Sequence, residues 1–340
     1  MMIIRPIRQD DYAVLFKIAE ESGHGFTSLP VNEELIQKKL SRSEASFKKA
    51  VSQPGDEGYL FVMEDSETGE VVGTSGIEAA VGLDDAFYHY HLGKVVHSSR
   101  SLNVYNTVET LTLCNDYTGA TEICTLFLRE AYRKDNNGKL LSKFRFLFLQ
   151  EQQHRFSDTV IAEMRGVSDA NGDSPFWQWL EEHFFSMDFP TADYLTGIGQ
   201  KVFVAELMPK YPIYVNLLSK EAQDVIGHVH DNTRPAIQLL KSEGFNFAGY
   251  VDIFDGGPTV EANIKNIRSA SQSKNYTIVI GESASDDAVS HLISNTEVED
   301  FRATLTPLNV DVTSDSVTLS QKLADLLLVK AGDSVRLVAL

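Results

Sequence analysis

The segment Cys124-Thr-Leu-Phe-Leu-Arg-Glu-Ala-Tyr-Arg-Lys-Asp-Asn-Asn-Gly-Lys-Leu-Leu141 decides how this sequence folds and what it binds. Its first part is apolar and predicts a strand, its middle is a turn rich in Asn, and a helix is predicted to begin near Gly138 and end near His154. The turn also carries three cationic side chains, Arg133, Lys134 and Lys139. Such a turn can direct several backbone N–H groups toward one anion, and the helix N-terminus adds a partial positive charge. The segment therefore suits a diphosphate, although a plain strand–turn–helix connection explains it about equally well.

Bulk composition favours a globular protein in a reducing compartment. The chain has 340 residues, 43% of them hydrophobic, which is enough for one large domain and a small one or for two ordinary domains. Its two cysteines, Cys114 and Cys124, do not make a disulfide framework. Residues 1–11 lack the apolar core of a signal peptide, and no run approaches the roughly 20 apolar residues of a membrane helix. We therefore expect a cytoplasmic protein without membrane association.

The formal net charge is −18, which bears on the partners of the protein. A field of that sign repels phosphate backbones, so nucleic acid is not an expected partner. It mildly favours a cationic substrate. When the net charge is considered alone, a role in solubility explains it better than the attraction of a cationic substrate does.

The rest of the sequence predicts a mixed α+β fold. The other predicted helices cover about 12–21, 32–51, 174–184, 219–228 and 233–243. The predicted strands cover about 3–8, 59–64, 71–76, 87–91, 93–97, 110–113, 122–128, 159–167, 201–206 and 245–254. Composition shifts toward Ser, Asp, Asn and Lys near residue 267. We expect a main domain at 1–266, with 190–266 as a candidate second α/β half, and a small β-rich appendage at 267–340.

Arg133-x-x-Asn136-x-Gly138 resembles the acetyl-CoA signature of the GNAT N-acyltransferases, Arg/Gln-x-x-Gly-x-Gly/Ala. Asn136 replaces the first glycine of that signature, and asparagine is the residue after glycine that best tolerates a positive φ. The resemblance implies that the turn binds the diphosphate of coenzyme A and that the pantetheine arm lies along the preceding strand. That strand would splay away from residues 160–164, and one of its N–H groups would polarise the thioester carbonyl. The implied coenzyme contacts are Leu126, Phe127, Leu128, Arg133, Lys134, Asn136, Asn137, Gly138 and Lys139.

A narrower resemblance covers most of the chain. Ala162-Glu-Met-Arg-Gly-Val167, Val225-Ile-Gly-His-Val-His230 and Asp252-Ile-Phe-Asp-Gly-Gly-Pro-Thr259 resemble motifs of the arginine N-succinyltransferase family. Further matches lie, in order, at 1–6, 27–30, 64–69, 102–106, 174–177, 184–189, 199–201, 205–210 and 331–337. The family implies a GNAT-like, mostly antiparallel sheet flanked by helices, with a β-rich C-terminal appendage.

The family also implies a reaction and its alternatives. The reaction transfers the succinyl group of succinyl-CoA to the α-amine of L-arginine, giving N2-succinyl-L-arginine and coenzyme A. It is the first step of ammonia-producing arginine catabolism. An acyltransferase subunit that acts on ornithine or another amine, or a non-catalytic CoA-binding relative, stays open.

Two residues are candidates for proton transfer. The resemblance implies a proton-donor role for His230, whose imidazole can exchange a proton near neutral pH. A histidine before a helix is otherwise more often a cap or a surface residue. Glu163, on the strand opposite the coenzyme, is a candidate base for the acceptor amine, with a surface salt bridge as the alternative.

Substrate binding needs charged partners. Carboxylates can hold the guanidinium of arginine in a fork, and Asp252 and Asp255 are the candidates. The succinyl carboxylate needs a cation, for which Arg165 or Lys201 would serve. A solvated loop explains each of these residues about as well.

No metal and no permanently bound cofactor is expected. His228 with His230, and His89 with His91, lack a third ligand at metal spacing, so packing explains them better. Succinyl-CoA is expected as a cosubstrate only. The resemblance further implies a homo-oligomer, a dimer, or one subunit of a hetero-oligomer.

Overall fold

A computed structural model describes residues 1–23, 28–169, 172–200, 202–281 and 288–340. Its strands are β1 (Met2–Pro6), β2 (Gly58–Asp65), β3 (Val71–Glu78), β4 (His89–Ser99), β5 (Val104–Cys114), β6 (Thr121–Leu128), β7 (Thr159–Glu163), β8 (Ile213–Tyr214), β9 (Asn246–Val251), β10 (Pro258–Asn263), β11 (Lys274–Ile280), β12 (Val289–Asn295), β13 (Ala303–Leu308), β14 (Ser316–Leu319) and β15 (Ser334–Ala339). Its α-helices are α1 (Tyr12–Ser22), α2 (Glu33–Lys48), α3 (Asn137–Glu151), α4 (Pro175–Leu180), α5 (Phe189–Gly197), α6 (Val202–Leu207), α7 (Lys220–Val225), α8 (Arg234–Ser242), α9 (Arg268–Ser271) and α10 (Gln321–Leu326).

These strands form one sheet in the order β14-β11-β15-β12-β13-β1-β2-β3-β6-β7-β10-β9-β4-β5-β8. Neighbours are antiparallel except for β6 with β7 and β11 with β14. A mixed, mostly antiparallel sheet with helices packed against it confirms the predicted α+β, GNAT-like fold. None of the described helices has the length and apolar character needed to cross a membrane.

Helix α3 is the main packing element of the central sheet. Every residue from Leu140 to Leu149 is buried, because its apolar side chains contact the sheet while neighbouring elements cover its other side. The rings of Phe61, Phe144 and Phe148 meet edge to face at centroid distances of 4.8–5.2 Å. Burying one such side chain stabilises the fold by roughly 1.5–3 kcal/mol. This packing fixes the position of α3 against β6, and therefore of the turn between them.

The parallel strands β6 and β7 pair over only two positions. Thr121 faces Val160 and Glu122 faces Ile161, and beyond these pairs the two strands separate. The remaining part of β6 keeps its other neighbour, β3, but no described strand pairs with it on its β7 side. The separation opens the centre of the sheet toward the N-terminus of α3.

The C-terminal strands continue the sheet. β13 pairs with β1 through Ile3 with Thr304 and Ile4 with Ala303. Residues of β11–β15 and α10 enclose an apolar cluster of their own, which includes Ile293, Val317 and Leu337. The division of the chain near residue 267 stays a prediction.

Several predicted elements differ from the structure. The strand predicted at 201–206 is wrong, because residues Val202–Leu207 form α6, and Val204 and Met208 bury the same face of the chain at helical spacing. The pieces predicted at 87–91 and 93–97 belong to one strand, β4. The strand predicted at 245–254 ends at Val251, where Asp252 begins a turn. Lys201 and residue 27 of the 27–30 motif lie outside the described residues.

Candidate active site

The turn between β6 and α3 presents unused backbone donors. Asp135 and Asn136 have φ values of 52° and 62°, in the left-handed region that asparagine tolerates. Within the described part of the chain, the N–H groups of Asp135, Asn136, Gly138 and Lys139 have no hydrogen-bond acceptor. A Cβ atom added to Gly138 would face open space. Four free donors at a helix N-terminus beside an open volume are suited to an anion.

The side chains of the turn add positive charge. Nε of Arg133 donates to the carbonyl oxygen of Leu128 at 2.9 Å, which orients the guanidinium along the end of β6. Lys134 and Lys139 are exposed, and neither forms an ion pair with a described carboxylate. The side-chain amide of Asn137 instead closes the turn by donating to the carbonyl of Tyr132 at 3.0 Å.

A bulge in β6 lies beside the opening of the sheet. Thr74 pairs with Phe127 and Gly76 with Cys124, so one residue of β3 faces two residues of β6, Thr125 and Leu126. Thr125 has a φ of 51°, which is unusual for a β-branched residue. Thr125 and Leu126 both line the cavity described below, and no described strand pairs with them on the β7 side. An extended ligand arm fits this position as an added strand.

A cavity of about 300 Å³ occupies the opening between β6 and β7. It brings together six of the residues that the sequence predicts for the site, namely Leu126, Phe127, Glu163, Arg165, Asp252 and Asp255. Leu128 is buried beside it, and its side chain packs into the central apolar cluster. The basic turn lies at the C-terminal end of β6, next to the cavity rather than in its lining.

Asp252 and Asp255 hold the turn after β9 together. Oδ1 of Asp252 accepts from the N–H groups of Phe254 at 2.7 Å and Asp255 at 2.8 Å. Burial, with the nearby charges of Asp255 and Glu163, holds the pKa of Asp252 well above its usual value. Both of these hydrogen bonds are made by Oδ1, so Oδ2 is the oxygen of Asp252 that is better placed to contact a ligand in the cavity.

Asp255 is engaged more fully. Its two oxygens accept from the N–H groups of Gly166 at 2.6 Å and Gly257 at 2.8 Å, and burial raises its pKa to about 6. A Cβ atom at Gly166 would lie 2.5 Å from Oδ1 of Asp255, so only glycine allows this contact. Asp255 therefore positions the loop after β7, and its charge helps to keep Asp252 protonated.

Glu163 projects from β7 into the cavity and contacts a buried histidine. Its Oε1 lies 3.0 Å from Nε2 of His89, a side chain that is fully buried on β4. Neither ring nitrogen of His89 has a partner in hydrogen-bonding geometry among the described residues, and Phe87 and Tyr117 contact the ring at centroid distances of 4.9 and 5.1 Å. Packing therefore accounts for the ring of His89, as the sequence indicated, and the carboxylate contact was not foreseen.

His230 lies beside the cavity and lines a neighbouring surface depression. Its Nδ1 accepts from the N–H of Asn232 at 3.1 Å, so a neutral His230 carries its proton on Nε2. Burial and the positive charge of Arg165 lower the pKa of His230. Asn232 lines both the depression and the cavity and connects the two. The proton-donor role of His230 stays a prediction.

Four ionisable residues near the cavity were not selected from the sequence. Glu122 of β6, Arg145 of α3 and Asp193 of α5 line it, and His89 contacts Glu163. The sequence held a signal for Arg145, because a guanidinium stands inside the apolar run Phe144-Arg-Phe-Leu-Phe-Leu149. Asp193 has no such signal. Among the described residues no group of three His, Cys, Asp or Glu side chains could hold a metal ion, so the metal expectation stays a prediction.

A strand splayed from its parallel neighbour, with an anion-binding turn at its end and a polar cavity beside it, defines an acyl-CoA-dependent acyltransferase of GNAT-like fold. A family model described as the arginine N-succinyltransferase beta subunit matches residues 2–269, and one described as the C-terminal domain of that subunit matches residues 274–339. The chain therefore belongs to the arginine N-succinyltransferase family.

Individual relatives agree with this assignment. An arginine N-succinyltransferase of Escherichia coli strain UMN026 is 48% identical over 340 residues, covering 100% of this chain and 98% of its own. The protein of the same name from strain K12 / DH10B has the same identity and coverage. The solved structure of arginine/ornithine succinyltransferase subunit AI from Pseudomonas aeruginosa is 38% identical, with a TM-score of 0.91 over 100% of this chain and 98% of that one.

Proposed function

We propose that the protein transfers the succinyl group of succinyl-CoA to the α-amine of L-arginine, giving N2-succinyl-L-arginine and coenzyme A. It would thereby begin ammonia-producing arginine catabolism. The observation that carries the proposal is the cavity between β6 and β7, which is lined by carboxylates and lies beside a turn with free N–H donors. The turn suits the diphosphate of the donor, and the carboxylates suit the guanidinium of the acceptor.

The donor is assigned to β6 and the turn that follows it. The diphosphate would accept from the free N–H groups at 135, 136, 138 and 139, with Arg133, Lys134 and Lys139 adding charge. The pantetheine arm would run back along Leu128, Phe127 and Leu126, which places the thioester near the bulge. A backbone N–H at the bulge would stabilise the oxyanion of the tetrahedral intermediate.

The acceptor is assigned to the carboxylate side of the cavity. Four carboxylates of β7, α5 and the turn after β9 line it, namely Glu163, Asp193, Asp252 and Asp255, and a fifth, Glu122, lines it from β6. A bound guanidinium would favour the ionised forms of Asp252 and Asp255, whose pKa values burial raises in the free protein. Arg165 also lines the cavity, and its buried Nε has no partner among the described residues, so it can bind a substrate carboxylate.

The proton balance of the transfer assigns roles to the remaining groups. The acceptor nitrogen enters as an ammonium and loses one proton before attack and a second as the C–N bond forms. Glu163 faces the cavity and can accept a proton from the nitrogen. The C–S bond breaks, the thiolate takes up one proton to leave as the coenzyme A thiol, and the other proton reaches solvent. His230, with Nε2–H as its free end, is the candidate that donates toward the sulfur.

Thiol release tests the proposal directly. Purified protein is incubated with succinyl-CoA and arginine, ornithine or lysine, while free thiol and acceptor mass are followed. Nα-acetyl-arginine serves as the control, because it keeps the guanidinium but lacks the nucleophile. We expect thiol release and a succinyl mass increment with arginine. Release with none of the amines would reject the enzyme, and release with ornithine alone would reject arginine as the acceptor.

Location and assembly complete the proposal. We place the protein in the cytoplasm as a homo-oligomer, a dimer, with a hetero-oligomer as the alternative. Cys114 and Cys124 are both unpaired, which fits a reducing compartment. The name of the Pseudomonas aeruginosa relative includes the word subunit, which supports assembly. Light scattering of the purified chain measures the oligomeric state, and a monomeric mass would reject the homo-oligomer.

A further inference from the structure

Arg145 is a buried cation without a counter-ion. It lies on α3 with 2% of its surface exposed, and it lines the cavity between β6 and β7. It forms no ion pair with a carboxylate of the described residues, unlike the buried Lys143 of the same helix, which lies 2.7 Å from Glu243. Burying a guanidinium without an anion is costly, so a protein that retains one has a use for it.

The hydrogen bonds of Arg145 leave its terminal fork available. Nε donates to the carbonyl of Ser142 at 2.9 Å, and Nη2 donates to Oγ of Ser142 at 3.0 Å. Nη1 makes a long contact of 3.5 Å with the carbonyl of Cys124. A guanidinium has five N–H donors, so one remains on each terminal nitrogen, the arrangement that a carboxylate accepts in a bidentate pair. Burial lowers the pKa of Arg145 to about 10, which leaves the group charged at neutral pH.

The position of Arg145 along β6 matches the length of a succinyl group. Its guanidinium reaches the level of Cys124, two residues before Leu126, where the thioester is assigned. Two residues of a regular strand span roughly 7 Å, and the bulge at Thr125 shortens that distance. The three C–C bonds from the thioester carbon to the distal carboxylate span roughly 4 Å. A hydrogen bond adds roughly 3 Å, so a succinyl group is long enough to reach the guanidinium.

We propose that Arg145 binds the distal carboxylate of the acyl group and thereby selects a dicarboxylic acyl donor. The inference rests on the proposed function, because it takes the thioester to lie beside Leu126. It leaves Arg165 for the α-carboxylate of the amino-acid acceptor. Arg165 directly precedes Gly166, whose N–H donates to Asp255, so it lies on the carboxylate side of the cavity. Each substrate carboxylate then has its own guanidinium.

A comparison of two donors tests the role of Arg145. Succinyl-CoA and butyryl-CoA both carry four-carbon acyl groups, and only the first ends in a carboxylate. The wild-type protein should have a kcat/KM roughly 100-fold higher for succinyl-CoA, the size expected for a charge-assisted pair. Arg145→Met keeps most of the side-chain volume and should lose this preference, with the kcat/KM for butyryl-CoA changing less than about threefold. Arg145→Lys keeps the charge without the fork and should fall between them.

Arg155→Met is the matched control. Arg155 is also buried, but it binds the hydroxyl of Tyr59 at 3.0 Å and the carbonyl of Lys49 at 3.0 Å, away from the cavity lining. Its replacement should lower the melting temperature and leave the ratio of the two donors unchanged.

Each outcome separates the inference from the function on which it rests. An unchanged donor ratio in Arg145→Met would overturn the role of Arg145 while leaving the proposed function in place. If that variant does not fold, Arg145→Lys decides, because a donor ratio equal to that of the wild type would overturn the role of the guanidinium fork. Equal use of the two donors by the wild type would overturn the inference as well. A wild-type protein that transfers neither acyl group to arginine would instead reject the proposed function itself.

Discussion

Asn136 is the residue where the turn departs from the GNAT signature, and its replacement tests whether the turn holds the coenzyme. The residue has φ and ψ of 62° and 15° and is the N-cap of α3. A glycine adopts this conformation freely, whereas the conformation costs a β-branched residue roughly 1–2 kcal/mol. Asn136→Val should relieve that strain by turning the loop outward, which misdirects the N–H groups at 135, 136 and 138. We expect the Kd for coenzyme A to rise roughly 5- to 30-fold in Asn136→Val. In Asn136→Gly the Kd should change less than about threefold.

Isothermal titration of coenzyme A into the wild-type protein and both variants measures this change, and thermal unfolding reports the stability of each. Asn103 provides a matched control, because it has a φ of 50° in the exposed turn between β4 and β5. Asn103→Val should bear a similar strain and leave coenzyme binding unchanged. The reasoning is refuted if Asn136→Val binds coenzyme A as tightly as the wild type does, or if Asn136→Gly binds none.

Three further substitutions test the charges of the site and the core. Asp252→Asn should raise the melting temperature, because burial disfavours the ionised carboxylate that the substitution removes. This gain in stability should grow from pH 5 to pH 8, and a gain that shrinks over that range would contradict the reasoning. The same substitution should weaken arginine binding. Glu163→Gln should lower kcat by about 100-fold near pH 7, and the difference from the wild type should become smaller as the pH approaches the pKa of the acceptor amine. A difference in kcat that does not change with pH would exclude Glu163 as the base. Glu243→Gln leaves Lys143 buried without its partner and should cost about 3–5 kcal/mol in urea unfolding. The exposed helical pair of Glu34 provides its control, since Glu34→Gln should cost about 0.5 kcal/mol or less.

Local signals predicted most of the fold. The hairpin of β2 and β3 and the long helix α3 follow from turn residues and apolar periodicity within short windows, and both lie close to their predicted positions. The prediction of a strand at 201–206 was wrong because a short apolar run that contains Val and Phe fits a strand and a helix equally well. Tertiary packing decided for the helix, since Val204 and Met208 bury together against the cluster that contains Phe185 and Phe254.

The site was less predictable than the fold. The turn and Leu126 belong to one continuous segment, so the sequence displays their order and spacing directly. Arg145 and Asp193 reach the cavity from helices that are far apart in the chain, and only the packed structure shows that they line the same volume. The placement of His230 in the adjoining depression also depends on the loop after α7, whose path no local pattern specifies.

A protein with a large net negative charge can bind an anionic acyl donor because its charges are unevenly distributed. The chain has 48 acidic and 30 basic side chains, yet the turn at the N-terminus of α3 has three cations, and the cavity contains two guanidinium groups. Exposed charges are largely screened beyond about 8 Å at physiological ionic strength, so these groups govern the affinity for a bound phosphate or carboxylate. The net negative field acts mainly on the approach of substrates and favours a cationic amino acid. In the proposed binding mode, the two guanidinium groups bind the carboxylates of the substrates, and the carboxylates of Glu163, Asp193, Asp252 and Asp255 bind the guanidinium of the acceptor. The cavity can therefore bind an acidic acyl group and a basic acceptor side by side without placing like charges together.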